Sequence, residues 1–237
     1  MLSDHGLKIS SKTRPGSPYE KYHDLLYALR HFSDGMAYWR LPGICCITIK
    51  LCKFLLERGE KIGHFEKGKR NYAVTKKGIE YNNLWFGIQD RYGIHDLVSS
   101  TFIIDDIFLE KRIIEKINSL RKKNFTPYTQ KKNTTLSSYR SMLNEYLDML
   151  RALRKYSPRP LSNRKICTYT GIPPSRLKRL EEIALKKGHI RKGEPRREEG
   201  LYVPVYATRE GLNLLYTVEW LAAKDGLLDL LPTLVPP

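Results

Sequence analysis

A twelve-residue segment occurs twice in the chain, and this repetition restricts the fold more than any other feature of the sequence. Residues 22–33 read YHDLLYALRHFS and residues 146–157 read YLDMLRALRKYS, with seven of the twelve positions identical. Each copy is followed by a basic segment that contains glycine, and then by a threonine at an expected helix start. A repeat at this period predicts two copies of one folded module of roughly 70 residues.

The first repeat has a pattern that predicts three helices, a β-hairpin and a closing helix. Leu25 and Leu29 lie on a helical stripe, whereas apolar residues alternate with polar ones in the later part of the module. Pro42-Gly43 predicts a tight turn before the third helix, and Thr75 is expected to cap the closing helix. The predicted elements are helices over 22–32, 36–41 and 44–58, strands over 61–65 and 71–74, and a helix from 75 through 85.

The second repeat follows the same order. Pro173 and Pro174 stand where its third helix would begin, a position that tolerates proline. Leu177, Leu180 and Ala184 are expected to face the core. The predicted elements are helices over 146–156, 162–168 and 173–187, strands over 189–192 and 201–206 around a tip at 193–200, and a helix over 208–220.

Three helices, a two-stranded hairpin and a further helix make up the winged-helix arrangement. The expected fold class is therefore mainly α with small β-hairpins (α+β), as two winged-helix domains joined by a helical connector. The expected organisation is an N-terminal arm (1–18), winged-helix domain 1 (19–88), a connector with a flexible joint (89–140), winged-helix domain 2 (141–225) and a leucine-rich tail (226–237).

Two motifs of the first repeat resemble those of archaeal winged-helix transcription regulators. They are Leu55-Leu56-Glu57-Arg58-Gly59 and Tyr72-Ala73-Val74-Thr75-Lys76-Lys77-Gly78. In the second repeat Tyr206 is one residue nearer to Thr208, and Glu210 replaces a lysine. The resemblance covers residues 22–85 and 146–221, and it implies an archaeal DNA-binding regulator of transcription.

The chain has a strong excess of positive charge. Lysine and arginine total 42 against 25 aspartate and glutamate, a net charge of +17, which favours nucleic acid or an anionic membrane surface as partner. No stretch reaches the roughly 18 apolar residues of a membrane span. The four cysteines lack the C-x-x-C spacing of zinc sites and fit a reducing compartment. We therefore expect a cytoplasmic, nucleoid-associated protein with no metal and no membrane partner.

The third helix of the second repeat carries the candidate base-reading residues. In a helix-turn-helix, the second helix of the motif enters the major groove with its N-terminal residues at the base edges. In this repeat these residues are Ser175, Arg176, Lys178 and Arg179. An arginine that pairs with guanine contributes about 1–3 kcal/mol of discrimination per good contact.

Other cations are candidates for contacts to the DNA backbone or the minor groove, because hairpin tips that carry lysine and arginine suit both. They are Arg164, Arg191, Lys192, Arg196 and Arg197 in the second repeat, and Lys50, Lys53, Lys67, Lys69 and Arg70 in the first.

The third helix of the first repeat is less polar. Counting back from Gly59, Ile47 and Ile49 stand where the second repeat has Arg176 and Lys178. Either these isoleucines turn into the core, which we rank first, or a protein partner covers the apolar face. In both cases the hairpin is expected to be the main DNA-contacting element of this repeat.

The segment between the repeats carries an apolar stripe that includes Ile107, Ile114 and Ile117, which predicts a helix. This helix is expected to pack either within the chain or on a second subunit, and the second option would give a homodimer on a palindromic site. The leucine-rich tail is expected to pack on its own module or on a neighbouring subunit.

No motif for catalysis is present in the sequence: it contains no phosphate-binding glycine loop, no nucleophile elbow and no His-Glu-x-x-His helix. We expect no enzymatic activity and no cofactor. The first hypothesis is a sequence-specific double-stranded DNA-binding protein that regulates transcription. The alternatives are a plasmid or viral replication initiator or partition protein, and an interaction scaffold of the transcription machinery.

Overall fold

A computed structural model describes residues 16–32, 35–100, 140–196 and 202–231. In these ranges the chain is mostly helical, with eight α-helices and two small antiparallel sheets, which confirms the predicted mixed class dominated by helix. Residues 16–100 are called the first repeat below, and residues 140–231 the second repeat. The predicted arm before residue 16, most of the predicted connector (101–139) and the end of the tail (232–237) lie outside the described residues.

The first repeat forms three helices, then a hairpin, then a long helix. A capping box starts the first helix, because Ser17 Oγ accepts from the Glu20 N–H and Glu20 accepts from the Ser17 N–H. A short strand that precedes the hairpin joins it in a three-stranded sheet, in which the second strand of the hairpin is central. The elements are α1 (Pro18–Arg30), β1 (Met36–Ala37), α2 (Leu41–Cys45), α3 (Ile49–Lys61), β2 (Phe65–Lys67), β3 (Asn71–Val74) and α4 (Lys76–Tyr92).

The second repeat has the same order of helices and strands. In place of a full first strand, Leu161 forms a single bridge to Val205, which corresponds to the pairing of Met36 with Tyr72 in the first repeat. The elements are α5 (Met142–Tyr156), α6 (Asn163–Thr170), α7 (Pro174–Lys186), β4 (Ile190–Lys192), β5 (Val205–Ala207), α8 (Arg209–Lys224) and a 3₁₀ turn (Leu228–Leu230).

The predicted turn of the first repeat is wrong in position. Residues 36–41 were expected to be helical, but 36–40 form β1 and a turn, and α2 begins at Leu41 with Pro42 in its first turn. Proline begins a helix readily because its missing N–H is not needed there. The chain turns instead at Cys46, which has a left-handed φ of 54°, and Thr48 caps α3.

Both repeats use the same contacts to fasten the hairpin to the first helix. The Tyr22 hydroxyl lies 2.9 Å from His64 Nδ1, and the Tyr146 hydroxyl lies 2.7 Å from His189 Nδ1. All four side chains are buried. The histidine therefore holds the start of the hairpin against the first helix in each repeat.

The closing helices begin in the same way as well. Thr75 caps α4 and Thr208 caps α8, and each hydroxyl also donates to a glycine carbonyl before the hairpin, at 2.7 and 2.6 Å. Gly78 and Gly211 lie so close to the histidine carbonyls that an added Cβ would stand 2.4 and 2.2 Å from the oxygen. The caps were predicted from the sequence and are confirmed.

The two repeats pack against each other through α4 and α8, and their buried residues form one hydrophobic core. The predicted domain boundary at residue 88 falls inside α4, and the buried side chains of Ile94 and Leu97 follow that helix. Leu227 and Leu230 of the predicted tail are also buried within this chain.

Candidate nucleic-acid interface

Helix α7 separates an apolar face from a basic one. Leu177, Leu180 and Ala184 are buried, as predicted, because they recur at helical spacing on the side that faces the core. The expected base-reading residues lie on the other side, at the N-terminal end, and all are exposed: Ser175, Arg176, Lys178 and Arg179. The first two turns of α7 therefore present three cations and a hydroxyl to solvent.

Arg176 is exposed but also forms an ion pair with a buried glutamate. Its Nη1 donates to Glu145 Oε1 at 2.6 Å, and the Glu145 side chain on α5 is only 6% exposed. Hydrogen bonds between charged groups are stronger than neutral ones. This contact positions Arg176 at the end of the helix, and 62% of its side chain still faces solvent.

The hairpin of the second repeat lies beside α7. Lys192 on β4 is 3.3 Å from Glu181 Oε2 on α7, and the Glu181 carboxylate is almost fully buried. This ion pair places a predicted DNA contact against the candidate reading helix. Arg164, another predicted contact, is exposed on α6, which packs against α7.

Tyr206 contacts two of the predicted DNA-binding cations on the hairpin. The Arg191 guanidinium lies 4.5 Å from the centre of the Tyr206 ring, in cation–π geometry. Arg196, further along the same arm of the hairpin, donates to the Tyr206 hydroxyl at 3.4 Å. Arg191 and Arg196 are both exposed, and Arg197 lies outside the described residues.

The corresponding helix of the first repeat, α3, exposes a mixture of cations and apolar groups. Lys50 and Lys53 are exposed, and Lys53 is 3.8 Å from Glu57 in a solvent-exposed pair that contributes little to stability. Ile49 and Phe54 are 44% and 43% exposed on the same helix. At the hairpin tip Lys67, Lys69 and Arg70 are all exposed.

The predicted alignment of α3 with α7 is wrong by four residues. Gly59 does not end α3, because it is buried in the helix where an added Cβ would stand 2.2 Å from the Phe65 ring. The left-handed glycines after the two helices are Gly63 and Gly188, with φ of 78° and 69°.

Counting back from these glycines changes the equivalent residues. Lys53 corresponds to Lys178, Phe54 to Arg179, and Leu51 to Arg176. Ile47 lies before α3 and is partly buried against the core, as ranked first, but Ile49 is exposed. Ile49 and Phe54 are therefore the large apolar side chains that α3 exposes, and Phe54 takes the position of Arg179.

Two histidines at the bases of the hairpins are structural residues. Burial lowers the pKa of His64 to about 4, although Asp225, 3.4 Å away, favours its protonated form. Burial, together with the nearby Lys187 ammonium, also lowers the pKa of His189. Both rings are neutral at physiological pH and are hydrogen-bonded to buried tyrosines, so neither is available to bind a phosphate.

Tyr38 and Trp39 of the first repeat form an exposed aromatic pair that was not predicted from the sequence. Their rings pack edge to face with centres 6.0 Å apart. Among the described residues, no three or more histidine, cysteine or acidic side chains are grouped to bind a metal ion. Of the described helices, none combines the length and the apolar character needed to cross a membrane.

No protein-family model matches the chain, and neither the curated proteins nor the solved structures gave a significant match. Function is therefore inferred from the geometry of these residues.

Proposed function

We propose that each repeat is a winged helix and that the chain is a sequence-specific double-stranded DNA-binding protein. In this proposal α7 enters the major groove, and the hairpins contact the backbone or the minor groove. The order of three helices, a hairpin and a closing helix in both repeats supports the fold. Regulation of transcription is the role that we propose for it.

The observation that carries the proposal is the exposed cationic end of α7 beside a cationic hairpin. Lys178 and Arg179 are exposed on this end of the helix. Arg176 is held at its base by Glu145, and Lys192 is held beside the helix by Glu181. Phosphate contacts orient a protein on the duplex and base contacts specify the sequence, and exposed cations on a helix and an adjacent hairpin suit both.

Selection of bound sequences from a random duplex pool tests this function. We expect a defined motif to emerge, and Arg179→Ala should relax the base preference at one position by about 1–3 kcal/mol. Arg179 is a better test than Arg176, because removing Arg176 would leave the buried Glu145 carboxylate without this partner.

Lys186→Ala is the matched control, since it removes one exposed positive charge from the last turn of the same helix. Base preference should be unchanged in this variant. If wild-type protein retards DNA but no motif emerges, binding is architectural; if Arg179→Ala leaves the motif unchanged, another residue reads the bases.

Ionic strength gives an independent test. A protein that neutralises several phosphates releases counterions, so its affinity should fall steeply as salt is raised. A flat salt response would contradict DNA binding and favour a protein scaffold instead.

The surface around Phe54 favours the scaffold as a second candidate function for the first repeat alone. Ile49 and Phe54 are both exposed on α3, and a protein partner that covered both side chains would remove this apolar surface from water. Footprinting separates the main role from replication: sites upstream of genes support regulation, whereas repeated sites at a replication origin support an initiator or partition protein.

A further inference from the structure

A five-residue motif also occurs twice, once after each closing helix, and it lies where the two repeats meet. Residues 93–97 read Gly-Ile-His-Asp-Leu and residues 226–230 read Gly-Leu-Leu-Asp-Leu, directly after α4 and α8 respectively. Both glycines have left-handed φ angles, 60° and 67°, which end the helices. The following apolar residues, Ile94 and Leu227, are fully buried.

Each of these segments receives a cation from the opposite repeat. Arg58 of the first repeat donates to the Gly226 carbonyl at 2.6 Å and to Asp229 at 3.0 Å. Lys187 of the second repeat donates to the Gly93 carbonyl and lies 2.9 Å from Asp96. The glycine and the aspartate are at equivalent positions in the two segments, and each segment is contacted by a cation from the other repeat.

The hairpin histidines make a second reciprocal pair of contacts. His64 of the first repeat lies 3.4 Å from Asp225, the residue before Gly226. His189 of the second repeat packs edge to face against Tyr92, the residue before Gly93, with ring centres 6.2 Å apart. In each case the histidine at the base of one hairpin touches the end of the other closing helix.

Two units are related by a two-fold axis when their contacts are reciprocal. If position i of one unit contacts position j of the other, then position j of the first also contacts position i of the second. The contacts of His64 and His189 and the pairing of α4 with α8 have this property. The two cations meet equivalent glycine and aspartate positions, although Lys187 lies one helical turn beyond the residue that corresponds to Arg58. The chain therefore contains an internal approximate two-fold axis. A second subunit is not needed to produce symmetry.

We infer that one copy of the chain binds an inverted-repeat duplex site whose two halves are unequal. This inference rests on the proposed DNA-binding function. A two-fold axis in the protein matches the two-fold axis of an inverted repeat in DNA. The unequal halves follow from the reading helices, because Arg179 and Arg176 of α7 correspond to Phe54 and Leu51 of α3.

The second repeat would select bases in one half-site. The first repeat would contribute mainly phosphate contacts to the other half-site, through Lys53 and the hairpin cations Lys67, Lys69 and Arg70. A selected motif should thus have one strongly defined half and, at a fixed distance, one weakly defined inverted half. This separates the chain from symmetric dimers, whose half-sites are equivalent.

The mass of the complex and the spacing of its site test the inference directly. On the selected duplex, mass photometry should show one chain per site, and the footprint should cover both halves. Insertion of about five base pairs between the halves turns one of them to the opposite side of the helix. Affinity should then fall at least tenfold, to that of the strong half alone.

Loss of the reciprocal contacts gives the complementary test. The double variant Arg58→Ala, Lys187→Ala changes no proposed DNA contact, and it should bind the strong half-site with wild-type affinity. Its affinity for the full site should fall, and its dependence on spacing should weaken. Circular dichroism and thermal unfolding show whether each repeat remains folded, and the spacing series on wild-type protein does not depend on the variant.

Each unfavourable result has a distinct meaning. If no specific duplex is selected at all, the proposed function fails. If a motif is selected but two chains occupy it, or its halves are direct repeats, or insertions between the halves leave affinity unchanged, this inference fails while the proposed function stands.

Discussion

The two repeats share a backbone arrangement but differ in what they bury and in what they expose. The core of the first repeat contains His23, Tyr81 and Trp85, whereas the corresponding residues of the second are the aliphatic Leu147, Leu214 and Val218. The exposed faces also differ: α7 exposes Arg179 where α3 exposes Phe54, and α3 also exposes Ile49 at its first turn.

This comparison shows which interactions define the module. The tyrosine–histidine contact, the threonine cap and the close glycine occur in both repeats, although the side chains of the core have been exchanged. These shared contacts fix backbone positions at the base of the hairpin. The core tolerates aromatic or aliphatic filling, and the outer helix face is free to acquire separate functions.

The largest effect is expected from adding a methyl group at the close glycines. In Gly78→Ala and Gly211→Ala, the new Cβ would lie 2.4 and 2.2 Å from a histidine carbonyl oxygen, so the closing helix must shift away from the hairpin. We expect each variant to lose about 3 kcal/mol of unfolding free energy, the upper end of the usual range for overpacked sites, because backbone atoms must move. Urea denaturation followed by circular dichroism measures the loss.

Gly87→Ala is the control, because Gly87 is exposed in the interior of α4 and nothing would lie within 4 Å of its Cβ. This variant should gain about 0.5–1 kcal/mol from helix propensity. A similar loss at all three glycines would show that close approach to the hairpin is not the cause.

The next largest effect is a loss of stability at acidic pH that is caused by His23 of the first repeat. His23 is stacked between Tyr81 and Trp85, and it donates from Nδ1 to Asn82 Oδ1 at 3.0 Å. Its Nε2 is buried with no hydrogen-bond partner in the described part of the chain. Burial therefore lowers the pKa of His23 to about 3.

Because the folded pKa is below the unfolded value of about 6.5, the unfolded chain takes up this proton first. The stabilising contribution is complete above pH 6.5 and is lost as pH falls toward 3. Near pH 4.5 the loss from His23 should be about 2–3 kcal/mol. His23→Leu, which copies Leu147 of the second repeat, should reduce the difference between unfolding free energies at pH 7 and pH 4.5. An unchanged difference would assign the acid sensitivity to other groups.

The comparison also shows what could be predicted from sequence. The caps at Thr75 and Thr208 and the strand over 71–74 depend on local residue preferences, and the structure confirms them. The turn at Cys46 could not be predicted in this way, because a left-handed cysteine has no local sequence signal.

Other errors came from choosing between two local signals. Gly59 and Gly63 are equally plausible helix ends in the sequence, and only the packing of Gly59 against Phe65 and Tyr22 decides between them. The segments at 93–97 and 226–230 were detectable as a repeat. That these segments form contacts between the repeats could not be predicted, because their partners Arg58 and Lys187 are distant in sequence. The packing of α4 on α8 brings them together.

A smaller effect, equal in the two repeats, is expected at the shared tyrosines. Tyr22→Phe and Tyr146→Phe each remove one hydroxyl from a buried histidine at 2.9 and 2.7 Å. The expected loss is about 1–2 kcal/mol in each case, since a buried hydrogen-bond partner is left unsatisfied. Unfolding free energies at neutral pH provide the measurement. A loss in only one repeat would show that the contact is structural in that repeat alone.

The smallest expected effect would reduce the functional difference between the repeats. Phe54→Arg places in α3 the cation that Arg179 provides in α7, at an exposed position where the guanidinium can reach solvent. If the first repeat lies on DNA, one added phosphate contact should increase affinity a few-fold and steepen the salt dependence by about 0.9 in the logarithmic slope.

Leu84→Arg separates contact from general attraction. Leu84 is 42% exposed on α4, so this variant adds the same charge on a helix outside the proposed interface. A long-range effect of net charge would raise affinity equally in both variants, whereas a direct contact requires the gain to be larger for Phe54→Arg. If neither slope changes, the first repeat does not touch DNA, and the exposed residues around Phe54 are better explained as a surface for another protein.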